Sequence, residues 1–97
     1  MALKRFKVQA LLTSGEWLPE ALIWHADRIK WDRAARANGW EAEKDSAIFS
    51  QFLAWAAYTR RGDWEGDYEE FAKVVEYIAE DITEVAPPGV DTAALEA

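Results

Sequence analysis

Apolar and polar side chains alternate near the start of the chain. In residues 6–12 the apolar side chains take every second position and would share one face of a β-strand: Phe6, Val8, Ala10 and Leu12. Residues 13–16 carry a turn signal that includes Gly15, and a second apolar segment occupies residues 17–24. A glycine-containing turn between two apolar segments favours a β-hairpin. Pro19 then confines the second strand to a sheet edge or an irregular stretch.

The second apolar segment also fits the start of a helix. Pro19 would suit a first helical turn. Three tryptophans spaced seven residues apart would then align along one continuous helix, with about 20° of drift per heptad: Trp17, Trp24 and Trp31. The hairpin is the favoured interpretation, because the turn has a local physical cause and the alignment of three side chains can arise by chance.

Three later segments have the spacing of amphipathic helices. The first runs from about Ala26 to Ala37, before the helix stop at Asn38 and Gly39. The second has a wide apolar stripe and runs from Asp45 or Ser46 to Arg61, before Gly62. The third is predicted over Asp67 to Asp81, because apolar side chains recur there at intervals of three and four: Tyr68, Phe71, Val75, Ile78 and Ile82.

These elements define one small domain with a short tail. Residues 1–82 are predicted to form a single helical domain with an N-terminal hairpin. Residues 83–97 lose the apolar pattern and are predicted to be an acidic, proline-containing flexible tail. The predicted fold class is α+β, mainly α, with a β-hairpin followed by about three helices.

Composition excludes several kinds of site. The chain has no cysteine and one histidine, which excludes disulfides, thiol catalysis and zinc sites built from Cys or His clusters. None of the phosphate-loop, serine-hydrolase or zinc-protease motifs occurs in the sequence. We therefore expect a protein that is not an enzyme and has no catalytic residues, cofactor or metal site.

Charge argues against a general nucleic-acid binder. The formal net charge is −7, and it is uneven, since residues 1–40 hold seven basic and four acidic side chains while residues 41–97 hold four basic and fourteen acidic ones. Affinity for nucleic acid depends on Lys and Arg side chains that neutralise phosphates. No apolar run approaches the ~18 residues of a membrane span, and no signal peptide is recognisable. The expected protein is soluble and intracellular, with no nucleic-acid or membrane partner.

Aromatic side chains are more numerous than so small an interior needs. The sequence contains six Trp, four Phe and three Tyr. Trp and Tyr are favoured anchors at protein interfaces. One or more of Trp17, Trp24, Trp31, Trp40 and Trp64 is therefore expected on a surface that a partner covers. The candidate positions for partner contact or for the core are Trp24, Trp31, Trp40, Phe52, Trp55, Tyr58 and Trp64. For any single tryptophan the core is the default, and for Trp55 it is favoured more strongly.

Three stretches, in this order, resemble one protein family. They are ADRIKWDRAARANGW (residues 26–40), FLAWAAYTRRG (residues 52–62) and YEEF (residues 68–71). The ordered set resembles the small tail assembly chaperones of long-tailed phages that infect actinobacteria. With the N-terminal hairpin, the resemblance covers most of residues 6–82. The short tail, which has no strong pattern, departs from the family.

The resemblance implies a protein that binds another protein and catalyses no reaction. Such chaperones bind the long, helical, aggregation-prone tape measure protein and keep it soluble during tail assembly. The expected location is the host cytoplasm, and the protein is not expected in the mature virion. Self-association is left open. A longer product made by ribosomal frameshifting near Pro87-Pro88-Gly89 is a further hypothesis, which sequencing the gene for a slippery heptamer would test.

Two other classes of function remain as alternatives. A small structural virion protein, such as a tail completion or head–tail connector subunit, would have a surface that persists in a ring or tube. An acidic regulator resembling an antitoxin would have ordered rows of carboxylates. A chaperone differs from both, since it should raise the soluble yield of its partner and be missing from purified particles.

Overall fold

A three-stranded antiparallel sheet joins the two ends of the described chain. The computed structural model describes residues 3–85, and the side chains of residues 5–81. Strand β1 (Leu3–Leu12) is central, with β2 (Ala21–Leu22) on one side and β3 (Val75–Val85) on the other. Gly15 takes a left-handed φ of 91° in the turn after β1. The predicted N-terminal hairpin is confirmed by the antiparallel pairing of β1 with β2.

The second strand of the hairpin is short and irregular. Only two residues form β2, although Trp17 makes an isolated bridge with Leu11 and the Leu18 N–H donates to the Ala10 carbonyl at 2.9 Å. Pro19 lies in the irregular stretch between the bridge and β2, where a missing N–H costs no sheet hydrogen bond. The alternative of one continuous helix through residues 17–31 is wrong.

The first two helices match their predictions closely. Helix α1 spans His25–Asn38 and helix α2 spans Ser46–Arg61. Each ends at a glycine in the left-handed conformation, Gly39 with φ 71° and Gly62 with φ 85°. The left-handed residue turns the chain away from the helix axis, so the glycine stops seen in the sequence fix both ends.

The third helix is half the predicted length. Helix α3 covers only Tyr68–Val74, and the rest of the predicted helix, from Val75, is strand β3. The apolar pattern fits both structures, because Ile78 and Ile82 are four residues apart and share a face of either a helix or a strand. Val75 reaches that same face through a register irregularity, in which Leu11 pairs with Tyr77 but Leu12 pairs with Val75.

Strand pairing decides in favour of β3. Without β3, one edge of the central strand would have backbone N–H and C=O groups with no partner beside the core. The pairing runs from Leu3↔Val85 to Leu12↔Val75. Three residues of the predicted tail, 83–85, therefore belong to a strand. The remaining tail, residues 86–97, lies outside the described residues.

The core lies between one face of the sheet and helix α2. Directly paired residues in an antiparallel sheet point to the same face, so Val8, Ala10 and Ala21 point toward the helices together with Ile78. Helix α1 packs on α2 through Trp31. The buried apolar residues are Val8, Ala10, Ala21, Trp31, Phe52, Leu53, Ala54, Ala56, Ala57, Tyr58 and Phe71.

Candidate functional site

An aromatic cluster fills the space between the three helices. Trp31 is 5% exposed, and its ring stacks on Trp40 with centroids 5.7 Å apart. Phe52 is also buried, and its ring centroid lies 5.8 Å from that of Trp31 and 5.3 Å from that of Tyr68. The rings of Phe49 and Trp31 form a T-shaped pair with centroids 5.0 Å apart. Trp31 and Phe52 are therefore core residues, and Trp40 is half-buried beside them.

Tyr58 is a buried structural residue. Its hydroxyl accepts a hydrogen bond from the Ala10 N–H at 3.0 Å and donates one to the Pro19 carbonyl at 2.8 Å. Burial raises the pKa of the Tyr58 phenol, and the hydrogen bond from Ala10 only partly opposes this. The side chain joins α2 to β1 and to the chain before β2, so it does not face a partner.

Two further half-buried tryptophans, Trp55 and Trp64, pack against the outside of the core. The Trp55 indole N–H donates to the Gly66 carbonyl at 3.1 Å, which ties α2 to the loop before α3. Trp64 lies edge-on to Phe71 with ring centroids 5.2 Å apart. The buried Nε1 of Trp64 has no hydrogen-bond partner among residues 3–85. Both tryptophans pack against the core and do not form a continuous exposed patch.

Trp24 is 55% exposed, but an arginine covers one of its ring faces. The Arg60 guanidinium carbon lies 3.7 Å from the centre of the Trp24 ring, within cation–π range. Arg60 also donates to both carboxylate oxygens of buried Asp27 at 3.1 and 3.2 Å and to the Leu22 carbonyl at 2.9 Å. The Asp27 carboxylate in turn accepts from the backbone N–H of Trp24 at 2.8 Å. This cluster joins α1, α2 and β2, so Trp24 has a structural role.

The sheet face that points away from the helices carries two further exposed aromatic side chains. Leu11 of β1 pairs with Tyr77 of β3 on one side and bridges to Trp17 on the other. Cross-strand partners have Cβ atoms about 4.5–5.5 Å apart. These three side chains therefore form a continuous row, here called the aromatic row. Trp17 is 47% exposed and Tyr77 is 58% exposed.

The other end of this open face is polar. Lys7 lies 3.9 Å from a carboxylate oxygen of Glu20 and 4.0 Å from one of Asp81. Gln9 stands between this charged group and the aromatic row, and its side-chain amide donates to the Leu18 carbonyl at 3.1 Å. Exposed ion pairs of this kind contribute about 0–1 kcal/mol each. The open face is thus apolar at one end and charged at the other.

The structure separates the sequence candidates into two groups. Six of them lie in or against the core: Trp31, Trp40, Phe52, Trp55, Tyr58 and Trp64. Trp24 is exposed but is covered on one face by Arg60. Of the aromatic row, Trp17 belonged to the aromatic surplus of the sequence. Tyr77 was missed, because the helical pattern places it off the apolar edge and only the β3 pairing brings it beside Leu11.

The part of the chain that the structure describes has surfaces that could bind a partner. It has few features that indicate a metal site, a membrane span or acid–base chemistry. No group of three or more His, Asp or Glu side chains among them is placed to hold a metal ion. No helix within residues 3–85 is long and apolar enough to cross a membrane. Besides Tyr58, burial also raises the pKa of Tyr68, whose hydroxyl donates to the Gln51 side chain at 2.9 Å. The aromatic row is therefore the candidate functional site.

Comparison of the chain with models of known protein families, with curated proteins and with solved structures gave no match.

Proposed function

We propose that the chain is a tail assembly chaperone, which binds a tape measure protein and keeps it soluble while a phage tail is assembled. The proposal draws on the resemblance of residues 26–71 to that family. The observation that carries it is the aromatic row, an apolar strip of Trp17, Leu11 and Tyr77 on a sheet face that the described part of the chain leaves uncovered.

The aromatic row suits the apolar face of a helix. A sheet face and an amphipathic helix are natural packing partners, because each buries one apolar side against the other. Burying the exposed parts of Trp17 and Tyr77 removes on the order of 100 Å² each from water, which contributes about 2–3 kcal/mol per side chain at ~25 cal/mol per Å². An interface of this strength is weak and reversible, as a chaperone that must later release its partner requires.

Charge supports the same function. The acidic chain has a formal net charge of −7, and a net charge well away from zero keeps proteins apart in solution. A complex whose partner has its apolar faces covered by this chain would carry that charge on its surface. In this proposal the chaperone acts in the host cytoplasm and is absent from the finished particle.

Co-expression with the tape measure protein tests the proposal. The soluble fraction of the tape measure protein should rise with the wild-type chain and fall with the Trp17→Ser, Tyr77→Ser double variant. Ile29→Ser is the matched control, since Ile29 is a 40% exposed apolar residue on α1, away from the sheet. The control should solubilise the partner as well as the wild-type chain.

Mass spectrometry of purified particles separates the alternatives. Absence of the chain from particles agrees with a chaperone. Stoichiometric presence would identify a structural virion subunit, such as a tail completion or connector protein, and would refute the proposal. An unchanged soluble yield of the tape measure protein on co-expression with the wild-type chain would also refute it. Together with absence of the chain from particles, that result would leave the acidic regulator as the remaining alternative.

A further inference from the structure

A groove on the helix side of the sheet has an apolar floor and a rim of carboxylates. It lies between β3 and the N-terminal half of α2, has a volume of about 550 Å³, and is floored by the half-buried side chains of Phe6, Phe49 and Ile78. The exposed side chains of Glu76 and Glu80 line it as well, and no Lys or Arg among the described residues does. The groove therefore suits a group that is apolar along its length and cationic at its end.

The two glutamates at this rim lack a cationic partner. Among the described side chains, residues 5–81, neither Glu76 nor Glu80 forms an ion pair with Lys or Arg. The Glu80 carboxylate accepts a hydrogen bond from the Ser50 hydroxyl, which leaves its negative charge in place. The rim thus carries two negative charges that a cation from another molecule can neutralise.

Helix α1 carries matching groups on its outer face. Arg33 and Arg36 are about one turn apart, on the stripe of the helix opposite the buried Trp31, and both are exposed. Within residues 5–81 neither arginine forms an ion pair. The aliphatic stem of an arginine packs on apolar surface, and its guanidinium binds carboxylates through two parallel hydrogen bonds. Each arginine therefore has both properties that the groove requires.

The outer face of α1 and the groove of the same molecule point in different directions. Phe49 lies between them, since its ring lines the groove and also forms a T-shaped pair with Trp31, with centroids 5.0 Å apart. Trp31 is on the inner face of α1, whereas Arg33 and Arg36 are on the outer face. A contact between these arginines and a groove of this kind therefore requires a second molecule.

We infer that two copies of the chain associate by placing the outer face of α1 of one copy against the groove of the other. The stems of Arg33 and Arg36 pack on the apolar floor of the groove. Their guanidinium groups bind the carboxylates of Glu76 and Glu80. Two positive charges meet two negative ones, so the contact is locally balanced although the net charge of −7 opposes association in general.

Each copy carries both surfaces, so a pair related by a two-fold axis forms the contact twice. Neither surface includes the aromatic row. The inference is therefore independent of the proposed chaperone function, and either can fail without the other.

Sedimentation velocity of the full chain over a range of concentrations tests for association. The experiment is run at about 0.1 M and about 1 M salt, between which the screening length falls from about 10 Å to about 3 Å. We expect a reversible dimer whose dissociation constant rises about tenfold or more at the higher salt, because ion pairs hold it. An association through exposed apolar rings would persist at high salt, and the Trp17→Ser, Tyr77→Ser variant would abolish it.

Reciprocal charge reversal tests which surfaces meet. The Arg33→Glu, Arg36→Glu variant and the Glu76→Arg, Glu80→Arg variant should each associate about tenfold or more weakly, because like charges then face one another. An equimolar mixture of the two should associate about as well as the wild-type chain, because the acidic helix of one fits the basic groove of the other and the reverse. Both variants keep a net negative charge, so general attraction between them does not explain such a recovery.

Two further variants complete the test. The matched control is Glu65→Arg, Glu69→Arg, which makes the same change of net charge at exposed positions that do not line the groove and should associate like the wild-type chain. If the reversed groove fails to fold by circular dichroism, Glu76→Gln, Glu80→Gln takes its place, since it keeps an acceptor for the Ser50 hydroxyl. This neutral variant should associate about fivefold or more weakly.

Several results would overturn the inference. A wild-type chain that sediments as a monomer at every concentration would exclude the contact. Equal losses in the matched control and in the groove variant would reduce the effect to overall charge. A mixture of the two reversed variants that stays monomeric would show that α1 does not face the groove. A dimer that only the Trp17→Ser, Tyr77→Ser variant dissociates would assign self-association to the aromatic row.

Discussion

Replacing Tyr58 by Phe removes a single oxygen atom from the interior, and that atom joins three parts of the chain. The Tyr58 hydroxyl, on α2, accepts from the Ala10 N–H of β1 and donates to the Pro19 carbonyl. Both Tyr58 and Ala10 are fully buried. The variant keeps the ring and its packing, so the change in stability reports mainly on the two hydrogen bonds.

The expected loss is about 1.5–4 kcal/mol. A buried donor left without a partner costs about 1–3 kcal/mol, and the Ala10 N–H is such a donor. Pro19 is an exposed residue, so water can replace the hydroxyl at its carbonyl and the second bond adds about 0.5–1 kcal/mol. A domain of this size has a total stability of about 5–10 kcal/mol, so the loss is a large share of it.

Urea unfolding followed by far-ultraviolet circular dichroism and tryptophan fluorescence measures this loss. Tyr77→Phe is the matched control, because its ring is 58% exposed, and we expect a change of less than about 0.5 kcal/mol there. A loss below about 0.5 kcal/mol for Tyr58→Phe would refute the reasoning, since it would mean that the Ala10 N–H finds another partner at little cost.

The remaining predictions concern other buried or strained positions, each read from urea unfolding. Asp27→Ala should cost about 3–5 kcal/mol because it leaves the Arg60 guanidinium without its buried partner, and adding Arg60→Met should restore part of that loss; no restoration would argue against charge burial as the cause. Trp31→Ala should cost about 3–5 kcal/mol, and a smaller loss would contradict its place in the core. Gly62→Ala should cost about 1–2 kcal/mol, because alanine is strained at a φ of 85°. Because burial raises the pKa of Tyr58, the folded state keeps a proton that the unfolded state releases, so stability should hold below about pH 10 and fall above it, less steeply in Tyr58→Phe.

Local signals were sufficient for helices α1 and α2 and for the start of α3. The glycines at 39 and 62 end α1 and α2 because a left-handed residue needs no help from distant contacts. The turn at Gly15 likewise fixes the hairpin locally. Asp67 caps α3 locally, since its carboxylate accepts from the Glu70 N–H at 2.8 Å.

The sequence could not predict β3, because its cause lies far away in the chain. Ile78 and Ile82 fit either periodicity, and the choice depends on β1, which leaves one edge open for them. The aromatic row was hidden for the same reason, as Tyr77 becomes a neighbour of Leu11 only through that pairing. The excess of tryptophan predicted at least one exposed indole but could not say which, and Trp17 and Trp24 are the exposed ones. That a partner covers them stays a prediction.

The pairing of the first strand with the last also sets an order of events during synthesis. Leu12 of β1 pairs with Val75 of β3, so β1 leaves the ribosome long before β3 has been synthesised. At about 5–20 residues per second, the intervening ~60 residues take roughly 3–12 s to make, and contacts this distant in sequence form slowly in any case. During that interval the segments of helices α1 and α2 are synthesised, but the sheet against which α2 packs still lacks β3. For that interval the edge of β1 that later pairs with β3 lacks its partner strand, and such an edge is a template for pairing with other chains.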